Sequence, residues 1–488
     1  MCGVLWYLSQ KAAHKGKKAM SSSTTLPPYF RINPDQAMGD LDDPVTTGGF
    51  AAIAGAARAG RDDLAGRGLA EDGKRHLRLF STWEITRYLI PVAQAHFRRV
   101  LKQHPDWPQG RSETEAGAKW FTLDEVLTLR AHFGKEGSKA KEYQPYRPKG
   151  LPAKMVAVAN FKGGVGKTST AAHLAMSAAL DGYRVLVIDL DSQASMTSVF
   201  GGSVADEWQT VFPLLARHYA KHLQSDNQRR MDRGDNPVPL DETLTEALGV
   251  TAQTLIQKTH WPNIDLIGAQ LNLYWAEFQV PVWRMQGRGW KLWDALTDTL
   301  EADGVLDDYD VVFIDTPPAL GYLTINGLAA ADILLVPVGA SFLEFDSTGR
   351  FFDMLHTTFQ SIEDGENLAA RALGRPEMAF QWDAVRAVVT RYDGNQQAEL
   401  AGLMQAYLGK TLSPHRQDFT ALIGQAGEQV QGIYEADYRD FNRETYARGR
   451  ETFDATYAAF KTLLLGAWRK DELAMQEAEK AAATPAAS

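Results

Sequence analysis

One stretch, VAVANFKGGVGKTS at positions 156–169, constrains this chain more than any other. An apolar, β-branched run comes first, a glycine-rich segment follows, and TSTAAHLAMSAAL then repeats its apolar residues at helical spacing. The predicted order is therefore strand, loop, helix. Gly163, Gly164 and Gly166 carry no Cβ, so the backbone can curl with its amides facing one concavity while phosphate oxygens approach. A helix opening near Lys167 adds its positive dipole end. Phosphate binding then falls on Lys162, Gly163, Gly164, Val165, Gly166, Lys167, Thr168 and Ser169. Lys167 is spaced to reach the β- and γ-phosphates, and the Thr168 hydroxyl to bind Mg²⁺. The strict pattern G-x-x-x-x-G-K-[ST] fails at one point: Phe161 stands where the first glycine belongs, and an additional lysine, Lys162, lies inside the loop.

Two later apolar runs end in acids. YRVLVIDLDSQAS reads as a buried strand closing on Asp189, with Asp191 and Gln193 just beyond, and DVVFIDTPPAL as another closing on Asp315. Ligands of open α/β sheets bind outside the carboxyl ends of the strands, so these carboxylates should stand beside the phosphate loop. There they could orient a water or help to hold Mg²⁺. ILLVPV from Ile333 and VRAVVT from Val385 add further strands.

At 488 residues the chain is too long for one core. Its single cysteine, Cys2, excludes a disulfide framework and a cysteine-rich metal site, which suits a reducing, cytoplasmic setting. The net charge of −9 gives no whole-chain attraction to nucleic acid, so any such contact must rest on local basic patches. No apolar run approaches the roughly 18–20 residues of a membrane span. Residues 1–75 read as a leader and linker, with Met20 as a second start, because Pro, Gly, Ser, Ala and Asp recur there without a period.

Residues 76–134 change texture. STWEITRYLIPVAQAHFRRVLKQHPDW reads as two helices around a break at Ile90–Pro91, the first capped at Thr82, the second carrying Arg98, Arg99 and Lys102 opposite Phe97, Val100 and Leu101. WFTLDEVLTLRAHF follows with Thr122 as its cap. That order suits a winged helix-turn-helix whose basic helix touches DNA, and it equally suits a small helical bundle whose arginines are merely solvated. Residues 135–150, polar, basic and proline-containing, read as a linker to a nucleotide-binding domain at 151–465, and 466–488 as a helical or disordered tail.

KGGVGKTS, VLVIDLDSQAS, NIDLIGAQLNL and YDVVFIDTPPALGYLTINGLAAADILLVPV together resemble the ParA family of deviant Walker A partition ATPases. The tyrosine-rich YEADYRDFNRETYARGRETFDATYAAF and the N-terminal module make the RepA partition proteins of repABC-type plasmids the most similar branch. The resemblance implies a doubly wound, mostly parallel α/β sheet of the deviant P-loop type with an N-terminal winged helix-turn-helix domain. It also implies ATP and Mg²⁺ as cofactors, an ATP-dependent homodimer, DNA binding with nucleoid association, a ParB-like centromere-binding partner, and repression of the protein's own operon. Position by position, Lys162 matches the signature lysine that reaches the partner subunit's nucleotide, Lys167 the Walker lysine and Thr168 the Mg²⁺ ligand. Asp191 matches the carboxylate that places the attacking water, Asp189 its companion near the metal, and Asp315 the Walker B acid.

The chain departs from the family pattern at Ser169 and Ser192, and at Asn395, where simpler relatives carry an arginine for non-specific DNA contact; Arg391 is the candidate to replace it. Residues 201–240 read as an insertion without an assigned role, and His218 and His222 there lack the acidic partner of a zinc helix. A MinD-like positioning ATPase is the rival reading, but the C-terminal segment turns acidic and alanine-rich where a membrane anchor would be amphipathic. A nitrogenase-reductase-like enzyme would need cysteine ligands that the chain lacks. A metabolic enzyme of the same fold would have little use for a basic helix-turn-helix.

Overall fold

The computed structural model describes residue 50, residues 53–57, 75–112, 117–135, 143, 145, 147–287, 289–428 and 430–483. Cys2, Met20 and most of the expected leader and linker lie outside them. Of residues 1–69, which form one compact unit, only residue 50 and the short helical stretch 53–57 are described. Everything below concerns the second unit, residues 70–488.

A seven-stranded sheet organises this unit. Its strands are β3 (Lys154–Val158), β4 (Val185–Asp189), β5 (Gln257–Lys258), β6 (Ile264–Ile267), β7 (Val311–Asp315), β8 (Ile333–Gly339) and β9 (Ala384–Thr390), in the order β5-β6-β4-β7-β3-β8-β9. Only β5 runs antiparallel, so the expected mostly parallel α/β sheet is what forms. β3, β4 and β7 are buried along their whole length, as strands covered on both faces must be. Successive residues alternate between two cores: Met155, Ala157 and Ala159 enter one, Val156 and Val158 the other. Registry levels the functional ends, because Asp315 pairs with Val158 on one side and with Asp189 on the other.

The N-terminal module begins with β1 (Phe80–Ser81), which pairs antiparallel with β2 (Trp120–Phe121). Between them run α1, Thr82–Glu84 continued by a π-helical turn at Ile85–Leu89, and α2 (Gln94–Gln103). Arg111 bridges to Trp120, and α3 (Leu123–Phe133) follows. The break comes at Ile90–Pro91 as the proline demands, since its ring removes a donor and disfavours helix in the residue before it. Thr122 caps α3 in a reciprocal box with Glu125, whereas α1 is capped by Ser81 and not by Thr82. The Ser81 hydroxyl accepts from the Glu84 amide while the Glu84 carboxylate accepts from the Ser81 amide, an arrangement that the T-W-E spacing allows only one residue earlier.

This module shares a core with the sheet. Phe80, Phe97, Phe121 and Phe133 belong to the same cluster as Val156, Leu174 and Phe313. Arg130 donates to the Leu89 carbonyl and to Asp181, and the fully buried Glu84 takes an ion pair from Arg78 at 2.8 Å and a hydrogen bond from Tyr446 at 3.2 Å. The tyrosine-rich C-terminal stretch is thus a set of buried hydroxyls that dock the last helix. Tyr434 links Ser177 to Asp454, and Tyr457 donates to Asp181 at 2.9 Å. That helix runs unbroken from Arg443 to Ala483, through the expected boundary at 465, because Ala467 and Trp468 are still buried. The insertion contains a long helix, Phe212–Asp232, whose Leu214, Leu215 and Tyr219 extend the sheet's other core. His218 is engaged there by Asp298 and by the Trp290 indole.

Candidate nucleotide-binding site

The loop leaves β3 at Ala159 and enters α4 (Lys167–Leu180), which Gly166 caps in left-handed backbone at φ +87°. Gly164 also sits at positive φ, +75°, so a side chain at either place would strain the turn. Asn160 braces the entry: its amide donates to the Pro337 carbonyl at 2.8 Å, and its oxygen accepts from the Lys162 amide at 3.1 Å. Phe161, at the position where a strict motif has glycine, packs its ring 5.7 Å from Phe351. The deviation from the strict pattern therefore has a structural use, tying the loop to the helix that follows β8.

The far side of the loop is held from the end of β9. The Thr390 hydroxyl donates to the Val165 carbonyl at 2.7 Å, and the Arg391 guanidinium to the Gly164 carbonyl at 2.9 Å. Arg391 itself adopts φ +53°, a conformation that costs a non-glycine residue on the order of 1 kcal/mol and that the clamp sustains. The arginine considered for DNA contact thus stands on the phosphate loop, while Arg98, Arg99 and Lys102 lie exposed on α2. The sequence offered no signal for the Thr390 contact beyond its place at a strand's end.

Lys167 is buried, and its ammonium reaches the Lys162 carbonyl at 3.3 Å. Burial pushes its pKa down, with Asp315 and Asp191 opposing. Lys162 is half-exposed and pairs with Glu344 at 3.3 Å. Ser169 opens the link to the C-terminal region: its carbonyl meets His173 Nδ1 at 2.6 Å, and His173 Nε2 accepts from the Ile433 amide. Burial drives the His173 pKa down to about 4, so the ring is neutral and stacks on Phe453 at 3.9 Å.

The acids behave as a set. Asp189 is fully buried, and its oxygens accept from the Thr197 amide, the Thr197 hydroxyl and the Asp191 amide. Burial nevertheless raises its pKa to about 6. Asp315, also fully buried, accepts from the Thr168 hydroxyl at 2.6 Å, and burial with the neighbouring Asp189 pushes its pKa well up. Its Oδ1 finds no hydrogen-bond partner among the described residues. Two buried carboxylates side by side, one with an orphaned oxygen, need a cation to be comfortable as anions. Asp191 sits at the less buried rim with one oxygen taken by the Gln193 amide. No cluster of three or more His, Cys, Asp or Glu suited to a metal occurs among the described residues. The Thr168 hydroxyl and the strand-end Asp315 with its orphaned oxygen fit Mg²⁺, which is held by few protein ligands and completed by phosphates and water. Thr168 and Asp315 would hold it, with Asp189 behind them.

A glycine loop at the carboxyl edge of a parallel sheet, a lysine folded into it and a hydroxyl bonded to a strand-end aspartate define a P-loop nucleotide-binding protein of the deviant type. Residues 153–367 match the family model described as an AAA domain. A protein carrying the name replication protein A from Sinorhizobium fredii is 31% identical over 404 residues, covering 81% of this chain and 88% of that protein. Protein SopA of Escherichia coli is 31% identical over 266 residues, 53% of this chain and 58% of its own length. Among solved structures, one titled partition protein superposes with a TM-score of 0.55 at 18% identity over 85% of this chain and 98% of that one, which supports the fold. The chain belongs to the ParA-type partition ATPases, in the branch of the replication protein A relatives.

Proposed function

We propose that this protein is an ATP-driven DNA-segregation switch, hydrolysing ATP to ADP and phosphate with Mg²⁺ in the cytoplasm, at the nucleoid. The observation that carries the reading is the Thr168–Asp315 hydrogen bond of 2.6 Å beside the buried Asp189, a ready cation site at the mouth of the phosphate loop. Thr168 and Asp315 would hold Mg²⁺, which when bound would supply charge neutralisation to the phosphates. The loop amides and Lys167 bind and orient the triphosphate. Asp191, at the rim, orients the attacking water. Lys162 trades its ion pair with Glu344 for the nucleotide of a second subunit, so that charge stabilisation waits for dimerisation.

The dimer holds DNA through phosphate contacts, and a ParB-like partner on a centromere site stimulates hydrolysis to release it. Arg98, Arg99 and Lys102, all exposed on one helix of the N-terminal module, serve as the operator-reading cations for repression of the protein's own operon, since paired half-sites suit a two-fold protein. No described helix is long and apolar enough to cross a membrane. Asp191→Ala tests the hydrolytic assignment: ATP binding should persist while turnover falls at least about a hundredfold, the scale of general-base loss. A variant with normal turnover would remove Asp191 from the mechanism.

A further inference from the structure

A cleft of about 590 Å³ lies between β8, β9 and the C-terminal helix, and neither the phosphate loop nor its three aspartates line it. The alternation of β9 builds one wall. Ala387 and Val389 enter the core on the opposite face of the sheet, which leaves Arg386 and Val388, beside Leu335 of β8, on this one. The C-terminal helix builds the facing wall from Thr456, Ala459, Phe460 and Leu463, spaced three and four apart along one side. Larger side chains at Thr456 and Ala459 would have closed the gap against the sheet; these leave it open.

Residues 409–415 form the rim, and the sheet edge fixes them there. Leu412 bridges to Ala387, the Ser413 amide donates to the Ala387 carbonyl at 2.7 Å, and farther on the Gln417 amide donates to the Val389 carbonyl at 2.7 Å. This rim brings Lys410 and His415 to the same opening as Arg386. No acid lines the cleft, in a chain whose 60 Asp and Glu outnumber its 51 Lys and Arg. The half-buried Arg386 donates to the neighbouring Val385 carbonyl at 2.8 Å, and among the described residues neither it nor Lys410 forms an ion pair. Two cations without carboxylates at the mouth of an apolar cleft are the pattern that an anion with an apolar body completes. The planar guanidinium fork suits the paired oxygens of a carboxylate. The volume falls within the ~300–1,000 Å³ of small-molecule sites, which are mostly apolar with a few polar groups that fix orientation.

We propose that this cleft binds a small amphipathic carboxylate, its chain against Leu335, Val388 and Phe460 and its carboxylate at Arg386 and Lys410. A nucleotide is the wrong shape of chemistry for it, because the apolar walls would leave the polar edges of a base unpaired. The site is separate from the phosphate loop and does not depend on the segregation function proposed above.

Isothermal titration calorimetry of the full-length protein with decanoate, held below its micellar concentration, tests it. Wild type should bind one decanoate per chain, and should do so equally at saturating Mg²⁺ and ADP, which a carboxylate lodged in the phosphate loop could not. Arg386→Gln combined with Lys410→Gln should weaken decanoate binding at least about tenfold, the loss of a charge-assisted pair, while leaving 1-decanol binding unchanged. Ala459→Phe, which fills the cleft, should abolish binding of both. Both variants should bind fluorescent ADP as wild type does, and the charge variant decides the matter if the filled chain folds poorly. Absence of saturable decanoate binding by wild type would overturn the inference, as would binding that both variants leave intact. So would a charge variant that binds decanoate normally but has lost affinity for duplex DNA, which would assign the rim to a phosphate backbone.

Discussion

Asp315→Asn should make the nucleotide-free protein more stable while destroying its response to Mg²⁺-nucleotide. Both buried acids have raised pKa values, so each contributes stability that is complete below the ordinary carboxylate range and is lost as pH rises through the folded value. For Asp189 the rise from 3.8 to about 6 corresponds to roughly 3 kcal/mol, at 1.36 kcal/mol per pH unit, lost between those limits. Asp315, desolvated and facing Asp189, carries a burden of the same kind. Asparagine keeps an oxygen for the Thr168 hydroxyl and removes the charge. At pH 8 the gain should be on the order of 1–3 kcal/mol, a rise in Tm of roughly 1–3 °C for a chain of this size. Toward acid pH it should shrink, because wild-type Asp315, its pKa raised by burial and by Asp189, takes up its proton on the way down. Thermal melts at pH 8 and toward acid pH, with and without Mg²⁺ and ADP, measure all of this. A variant less stable than wild type at pH 8, or a gain that does not shrink toward acid pH, would refute the account of a site held under electrostatic tension.

Two further outcomes follow from the same geometry. Lys167→Ala should abolish nucleotide binding in a fluorescent-nucleotide titration without lowering the nucleotide-free Tm, because burial of the ammonium outweighs the attraction of Asp315 and Asp191, and among the described residues it donates one hydrogen bond, to the Lys162 carbonyl. Replacing Arg98 and Arg99 by alanine should weaken operator binding at least about tenfold and flatten its salt dependence by roughly two phosphate contacts, with basal ATPase unchanged in a coupled assay. A normal footprint from that variant would return α2 to the surface of a plain helical bundle.

The strands and the loop were legible because each carries its own local signature. Continuous apolar runs at 155–158, 185–188 and 311–314 define central strands, and the residues that follow them had to fall at one edge of the sheet. What was not legible depended on residues distant in sequence. Thr197 reaches Asp189, Thr390 and Arg391 clamp the loop, and Glu344 pairs with Lys162, all through tertiary packing that leaves no periodicity. The choice of Ser81 over Thr82 as a cap turned on one residue of register. The tyrosines of the C-terminal stretch were visible as a composition, but their partners Glu84, Ser177 and Asp181 lie hundreds of positions away.

The common core of the N-terminal module and the sheet has a consequence for the operator reading proposed for α2. Glu84 through Tyr446, Arg130 through Asp181, and the shared phenylalanine core solder that module to the body that carries the phosphate loop. Two such bodies brought together would behave as a calliper with rigid arms: the gap between the two basic helices would take one value, dictated by the way the bodies meet. A palindrome with its arms moved apart by half a turn of the double helix would be out of reach, however well each half matched.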